Sequence, residues 1–332
     1  MPEPDSILFD EDGEGIKHPP HRFVVEAGEA GARLQTFIAT KLKISVHQAG
    51  DLLERGLVSL AGQIARFHQK GVKVSARQVV EVEHFEPPQA QPVSPNPHLD
   101  VPVLAQNLDQ GWVVVNKPAG LPVHPLEPDE TYTVLNALIA RFPTMQGVGE
   151  GGLRSGVVHR LDVETSGALA FAFKPESWLS LRDAFREHRT LKLYHAIVLG
   201  EPPATGQVRL PLRVSQHKPA KVRVVEDDKA DQPSVRWCDL AWRVVTQFHG
   251  GVTAAFVEIS LGTGFLHQIR ATFAHLKYPV AGDPHYLPAW IADPSNARRV
   301  MLHAHRLVAD EIDVTAPHPP DFAAMLESLA KQ

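Results

Sequence analysis

Three polar residues stand where a buried polar group is costly unless it is paired or used. Asp162 lies on a short polar turn between two apolar runs, Gly156-Val157-Val158 and residues 168–173, both read as buried strands. Tyr194 shares one face of the apolar strand 191–198 with Lys192, at the two-residue period of a pleated chain. Arg270 falls in the first turn of a helix opened by His267 and Gln268, where a cation opposes the helix dipole and calls for an anionic partner. If the three converge, Arg270 holds Asp162 ionised and aims it through a bidentate pair. An ionised, desolvated carboxylate is a competent nucleophile or base. Tyr194 adds a flat ring for stacking and a hydroxyl for proton transfer. That set suits chemistry on a nucleobase taken out of its stack.

Other chemistries find less support. The 18 histidines include no H-x-x-x-H pair, and the one cysteine, Cys238, allows neither a C-x-x-C ligand pair nor an internal disulfide. No metal site is therefore expected. No P-loop occurs, and no cofactor is implied. No run of 18 or more apolar residues marks a membrane span, and the acidic start lacks the apolar core of a secretory signal. A reducing cytoplasm is the expected compartment. The net charge of −5 argues at face value against nucleic acid. However, residues 1–20 carry six acids (Glu3, Asp5, Asp10, Glu11, Asp12, Glu14) against Lys17 alone, which accounts for the whole excess. RNA binding then rests on local basic patches.

The elements that must position these residues follow from patterning. Residues 1–20 read as an acidic disordered tail. In 21–86, Leu34, Phe37, Ile38 and Leu42 follow helical spacing; Ser45 and Gln48 form a capping box for a second helix, which Gly56 stops. Strands are expected at 57–60 and 79–82. Residues 87–101 are a Pro-rich, semi-rigid linker that lets the preceding module reorient. Residues 102–332 form the main domain. Its strand 112–115 opens onto a rigid turn, Asn116-Lys117-Pro118-Ala119-Gly120, that runs on to His124. Helices are expected over 133–141, 178–187 and 320–329. Residues 200–235, with Arg209, Arg213, His217, Lys218, Lys221 and Arg223, read as a hairpin or long loop with a basic face suited to an RNA backbone. The residues alone describe a carboxylate enzyme with basic segments. They leave open RNA and, less well, a small hydrolysable substrate.

His159-Arg160-Leu161-Asp162-x-x-Thr165-Ser166-Gly167 resembles the signature of the RluA-type pseudouridine synthases. Further stretches match in the family's order: Asn116 to Pro125, Lys192-x-Tyr194, His267 to Arg270, Pro279 to Asp283 with Tyr286, and Leu302 to Leu307. The chain departs from the pattern at Phe265 and Leu266, where the family has Arg-Thr, and at Thr272, where it often has His. Residues 21–86 resemble an S4 RNA-binding domain through Arg33-Leu34, Ile44-Ser45, Arg55-Gly56-Leu57-Val58 and Gly62; Gln35, Val46 and Ala61 depart from it.

The resemblance implies an α+β pseudouridine synthase fold: a large mixed, mostly antiparallel sheet with a central active-site cleft, plus the small α/β S4-like domain. It implies isomerisation of uridine to pseudouridine in RNA, without a cofactor. Asp162 is catalytic, Tyr194 takes the proton from C5, and Arg270 pairs with Asp162. Arg160 fills the gap left by a flipped nucleotide. His159, Lys192, Lys117, His124, Arg55, Lys41 and Lys43 are assigned to RNA contact. The S4-like module favours ribosomal RNA as substrate and partner. Transfer RNA, or a non-catalytic RNA-binding or ribosome-assembly role, are the alternatives, and a monomer is expected.

Overall fold

The computed structural model describes residues 20–331 apart from 43, 45, 84–90, 218, 226–231, 233, 288–292 and 294. The acidic tail, Lys43, Ser45 of the capping box and Lys218 thus lie outside the described residues. The chain divides into two compact units, 1–87 and 88–332.

In the first unit, α1 (Leu34–Leu42) and α2 (Val46–Glu54) cover an antiparallel sheet of β1 (His21–Val24), β2 (Val58–Leu60), β3 (Gln63–Ile64) and β4 (Val79–Val82), ordered β1-β4-β2-β3. Leu34, Phe37 and Ile38 of α1 and Ala49, Leu52 and Leu53 of α2 are buried with Val58, Val80 and Val82. This one core fits the helical period on one side and strand alternation on the other. Gly56, just past α2, has φ +72°, the left-handed value that ends a helix. β1 and β3 carry no clear alternation and escaped the sequence reading.

The second unit is one mixed sheet with helices on both faces. Its strands are β5 (Val103–Asn107), β6 (Trp112–Lys117), β7 (Ser166–Ala172), β8 (Leu191–Leu199), β9 (Thr205–His217), β10 (Ala220–Val224), β11 (Arg236–His249), β12 (Thr253–Leu261), β13 (Leu302–Ala309) and β14 (Ile312–Thr315). The order is β10-β9-β11-β12-β8-β13-β7-β6-β5, with β14 paired to β13. Every pairing is antiparallel except β13 with β7. The late strand β13 therefore lies in the middle and joins β5–β7 to β8–β12.

Both faces of the central strands are buried, which is why they read as continuous apolar runs. Val113, Val115, Leu169 and Phe171 pack with α3 (Val134–Arg141) on one face; Val114, Ala168, Ala170 and Ala172 pack with Leu181 of α4 (Pro175–Arg186) on the other. On β8, Ala196 and Val198 face α5 (Gln268–His275), while Ile197 and Leu199 face α6 (Pro320–Ala330). The basic segment is the β9–β10 hairpin.

Two local expectations are revised. Val157 forms only an isolated bridge to Phe171, so Asp162 is preceded by irregular chain and not by a strand. The described part of the expected linker is packed: Val93 is 3% exposed in the α3 core and its N–H donates to Gln146, while Asn136 of α3 donates to Ser94 O. Gly147, Gly149 and Gly152 have the G-x-G-x-x-G spacing of a dinucleotide turn, but they lie in a turn, an isolated bridge to Ser155 and a short 3-10 helix, neither following a strand nor opening an α-helix. No described helix is long and apolar enough to cross a membrane.

Candidate active site

Asp162 is carried by a loop tied down at several points. Behind it, Lys117 is fully buried at the end of β6, and its ammonium donates to Pro118 O (2.9 Å), Leu121 O (2.7 Å) and Val163 O (2.8 Å). Burial pulls its pKa down to about 7, opposed by Glu164 and Asp162. Three carbonyl acceptors nonetheless demand three N–H donors, which only the ammonium has. Val163 O also accepts from Gly120 N. The residue expected to touch RNA is thus a brace with no free donor. Lys117→Met is expected to cost roughly 2–4 kcal/mol of stability, because it strands buried carbonyls. It should leave the salt dependence of RNA binding unchanged. A stable variant whose salt slope falls by about one would instead make Lys117 a phosphate ligand.

His159 is likewise structural. Its Nε2 accepts from Ala170 N at 3.0 Å and its ring stacks on Phe185. The other end of the loop is held by Ser166, whose hydroxyl donates to His303 Nδ1 at 2.9 Å, while His303 Nε2–H donates to Ala316 O. Burial pushes both imidazoles down to about 3. In the unfolded chain they take protons near pH 6.5; in the fold they do so only near pH 3. The stability they carry is complete above pH 6.5 and falls with pH below it, by about 1.4 kcal/mol per unit for each ring. Denaturant unfolding at pH 5.5 is expected to give a free energy lower than at pH 7.5 by at least roughly 2–3 kcal/mol, the share of these two rings alone. Equal values would contradict this assignment.

The loop is brought to Tyr194 by a close crossing. Gly167 has φ +118°, and a Cβ there would lie 2.2 Å from Ala304 O. Only glycine fits, and Gly167 pairs with Ala304 of β13. Ala304 in turn pairs with Tyr194 of β8. The tyrosine is set between the α3 and α5 cores, where burial, and then the charge of Asp162, push its phenol well above the ordinary range.

Arg270 is 3% exposed. Its fork is taken by Asp283, which the sequence reading passed over: Nε–Oδ2 is 2.6 Å and Nη2–Oδ1 is 2.9 Å. Asp283 is itself fully buried and accepts the N–H groups of His285 and Tyr286. Only Nη1 of Arg270 reaches Asp162, at 3.3 Å to Oδ2. The bidentate partner is therefore Asp283, and Asp162 keeps a single long contact with a fifth of its side chain exposed. Burial alone would pull Arg270 down; Asp283 and Asp162 together hold its pKa above the ordinary value. His267, left-handed at φ 49° where it caps α5, places Nε2 3.8 Å from Asp162 and bonds the Tyr286 hydroxyl through Nδ1. The guanidinium of Arg270 lies over the Tyr286 ring. A buried acid after Gly282, and the unmet charge of Arg270, were the signals that could have identified Asp283.

The remaining expected RNA contacts separate into two groups. Lys192 is 9% exposed and donates to Thr263 O, holding the turn before α5; His124 is 6% exposed and bonds Pro125 O; Lys41 pairs with Glu29 at 2.8 Å. These three are braces. Arg160 and Arg55 are exposed. The departures at Phe265 and Leu266 have a packing reason: both lie against Leu212, Val222 and Cys238 under the basic hairpin.

By fold, the mixed sheet of the second unit resembles pseudouridylate synthase domains. The human RNA pseudouridylate synthase domain-containing protein 1 has the same fold, with a TM-score of 0.55 and 22% identity over 74% of this chain and 96% of that one. A family profile described as RNA pseudouridylate synthase matches residues 111–275. An uncharacterized RNA pseudouridine synthase of Synechocystis is 31% identical over 93% of this chain and 92% of its own. The ribosomal large subunit pseudouridine synthase D of Xanthomonas campestris is 28% identical over 97% and 96%. The chain belongs to the RNA pseudouridine synthase family and is an isomerase of that class.

Proposed function

We infer that this enzyme isomerises uridine in ribosomal RNA, with Asp162 as the catalytic carboxylate. The observation that carries the reading is the Asp283–Arg270 fork, which leaves one guanidinium nitrogen facing an accessible Asp162 beside buried Tyr194. Asp162 acts at the sugar, on the anomeric carbon or through a glycal. The C1′–N1 bond breaks, uracil turns over, and a C1′–C5 bond forms. N1 gains a proton and C5 loses one, so the reaction needs no redox partner. Tyr194 serves that balance as a relay: its oxygen receives the C5 proton as its own proton passes toward N1. Arg160, exposed two residues before Asp162, is available to fill the space of an extruded nucleotide.

Ribosomal RNA is favoured by the S4-like pattern of the first unit and by the likeness to the Xanthomonas ribosomal large subunit pseudouridine synthase. In the first unit, Arg55, Arg66 and His68 line an open groove. In the second, Arg209 of the β9 hairpin strand lies over the half-exposed Trp237 ring, a cation and a stacking surface side by side. The test is tritium release from ribosomal and transfer RNA labelled at uridine C5. Release from ribosomal RNA supports the reading. Release from transfer RNA alone replaces the substrate, and release from neither removes it.

A further inference from the structure

Four imidazoles, those of His195, His303, His305 and His318, gather on the sheet face turned away from Tyr194. Successive residues of a strand point to opposite faces, so His195 faces the α6 core as Tyr194 faces α5. The register of β13 against β8 shifts between Ala304 and Arg306. This bulge aims His305 toward His195, and their rings stack with centroids 3.8 Å apart. His318, on the turn before α6, completes a trio whose potential ligand nitrogens all lie within 4.8 Å of one another.

The outer nitrogens of two rings are already engaged. His305 Nδ1 bonds Ala316 O at 3.1 Å, which leaves Nε2 as its lone-pair nitrogen. His195 Nε2 lies 3.4 Å from Glu258 Oε2, while Nδ1 faces His318 Nε2 at 2.7 Å. A carbonyl or carboxylate behind an imidazole, with the other nitrogen directed inward, is the second-sphere arrangement of metal-ligating histidines. Glu258 is steadied by Arg243 at 2.7 Å. His305 and His318 are partly exposed, so an ion has a way in.

We propose that His195, His305 and His318 bind a borderline divalent transition ion, zinc above all, with solvent as the fourth ligand. Nitrogen ligands of a tetrahedral zinc stand roughly 3.3 Å apart. The 2.7 Å pair opens slightly and the wider separations close, which small ring rotations accomplish. The ion would join β8, β13 and the approach to α6, on the opposite face from Asp162, and would act as a structural clamp. Spacing motifs miss such a site because its ligands come from three separate segments.

The test uses full-length, untagged protein stripped with chelator and titrated with zinc alone. Wild type is expected to take up one zinc per chain and to gain a zinc-dependent rise in Tm. His318→Ala, on the partly exposed turn, should fold, keep its metal-free Tm near wild type, and bind zinc at least about 100-fold more weakly. His305→Ala gives a second, independent loss. No saturable uptake by wild type, or equal uptake by both variants, overturns the site and leaves a hydrogen-bonded histidine cluster.

Discussion

Asp162→Asn is expected to release no measurable tritium from uridine-labelled RNA, a fall of at least about 10⁴-fold, while remaining folded. The amide nearly matches the carboxylate in shape but has neither its charge nor its nucleophilicity. Little stability depends on the charge. Asp162 makes one contact with Arg270, at 3.3 Å, and Arg270 is already neutralised by Asp283. The unfolding free energy should change by about 1 kcal/mol or less. The two readouts separate chemistry from folding. Single-turnover release within tenfold of wild type would show that another group initiates the reaction. A large loss of stability would mean that Asp162 is part of the buried ion network and not its accessible edge.

Asp283→Ala should do the reverse, acting on stability and activity together. It removes both bonds of the fork and the acceptor for the His285 and Tyr286 N–H groups. Arg270, 3% exposed, would keep only its long contact with Asp162. Leaving a guanidinium buried and under-paired costs about 3–5 kcal/mol. Asp162 would be drawn toward the freed fork and away from its accessible position, so tritium release should collapse as well. The double variant Asp283→Ala/Arg270→Met removes the stranded charge and is expected to recover part of the stability but none of the activity. A single variant within about 1 kcal/mol of wild type would show that the pair is dispensable to the fold.

These two residues mark where sequence reading reaches and where it stops. Asp162, Tyr194 and Arg270 each disrupt an apolar pattern, and such a break is visible in one dimension. So are the both-faces-buried strands β6 and β7 and the helix α3, although α3 is buried all round from Val134 to Ile139 and not amphipathic. The partner of Arg270 was not legible, because Asp162 and Asp283 are both acids near apolar runs and only the fold decides which takes the fork. The lysines show the same limit from the other side. Lys117 and Lys41 look alike as cations, but one is enclosed by carbonyls, including that of Val163, and the other is matched to Glu29. Charge says what a side chain can bind, and the chain's path says what it already holds. Strands that alternate weakly, such as β5 and the long β11, were hidden for a related reason: their exposed positions dilute the period.

The position of β13 has a consequence for how the enzyme comes into being. A ribosome that has released residues up to Arg299 has delivered Asp162, Tyr194, Arg270 and Asp283. Yet β7 and β8 still have nothing between them, and the Gly167–Ala304–Tyr194 crossing cannot exist. Until β13 arrives, the nascent chain carries two apolar sheet edges open to mispairing. The proposed site thus comes together only once β13 has emerged, closed by a strand that supplies none of its reacting groups.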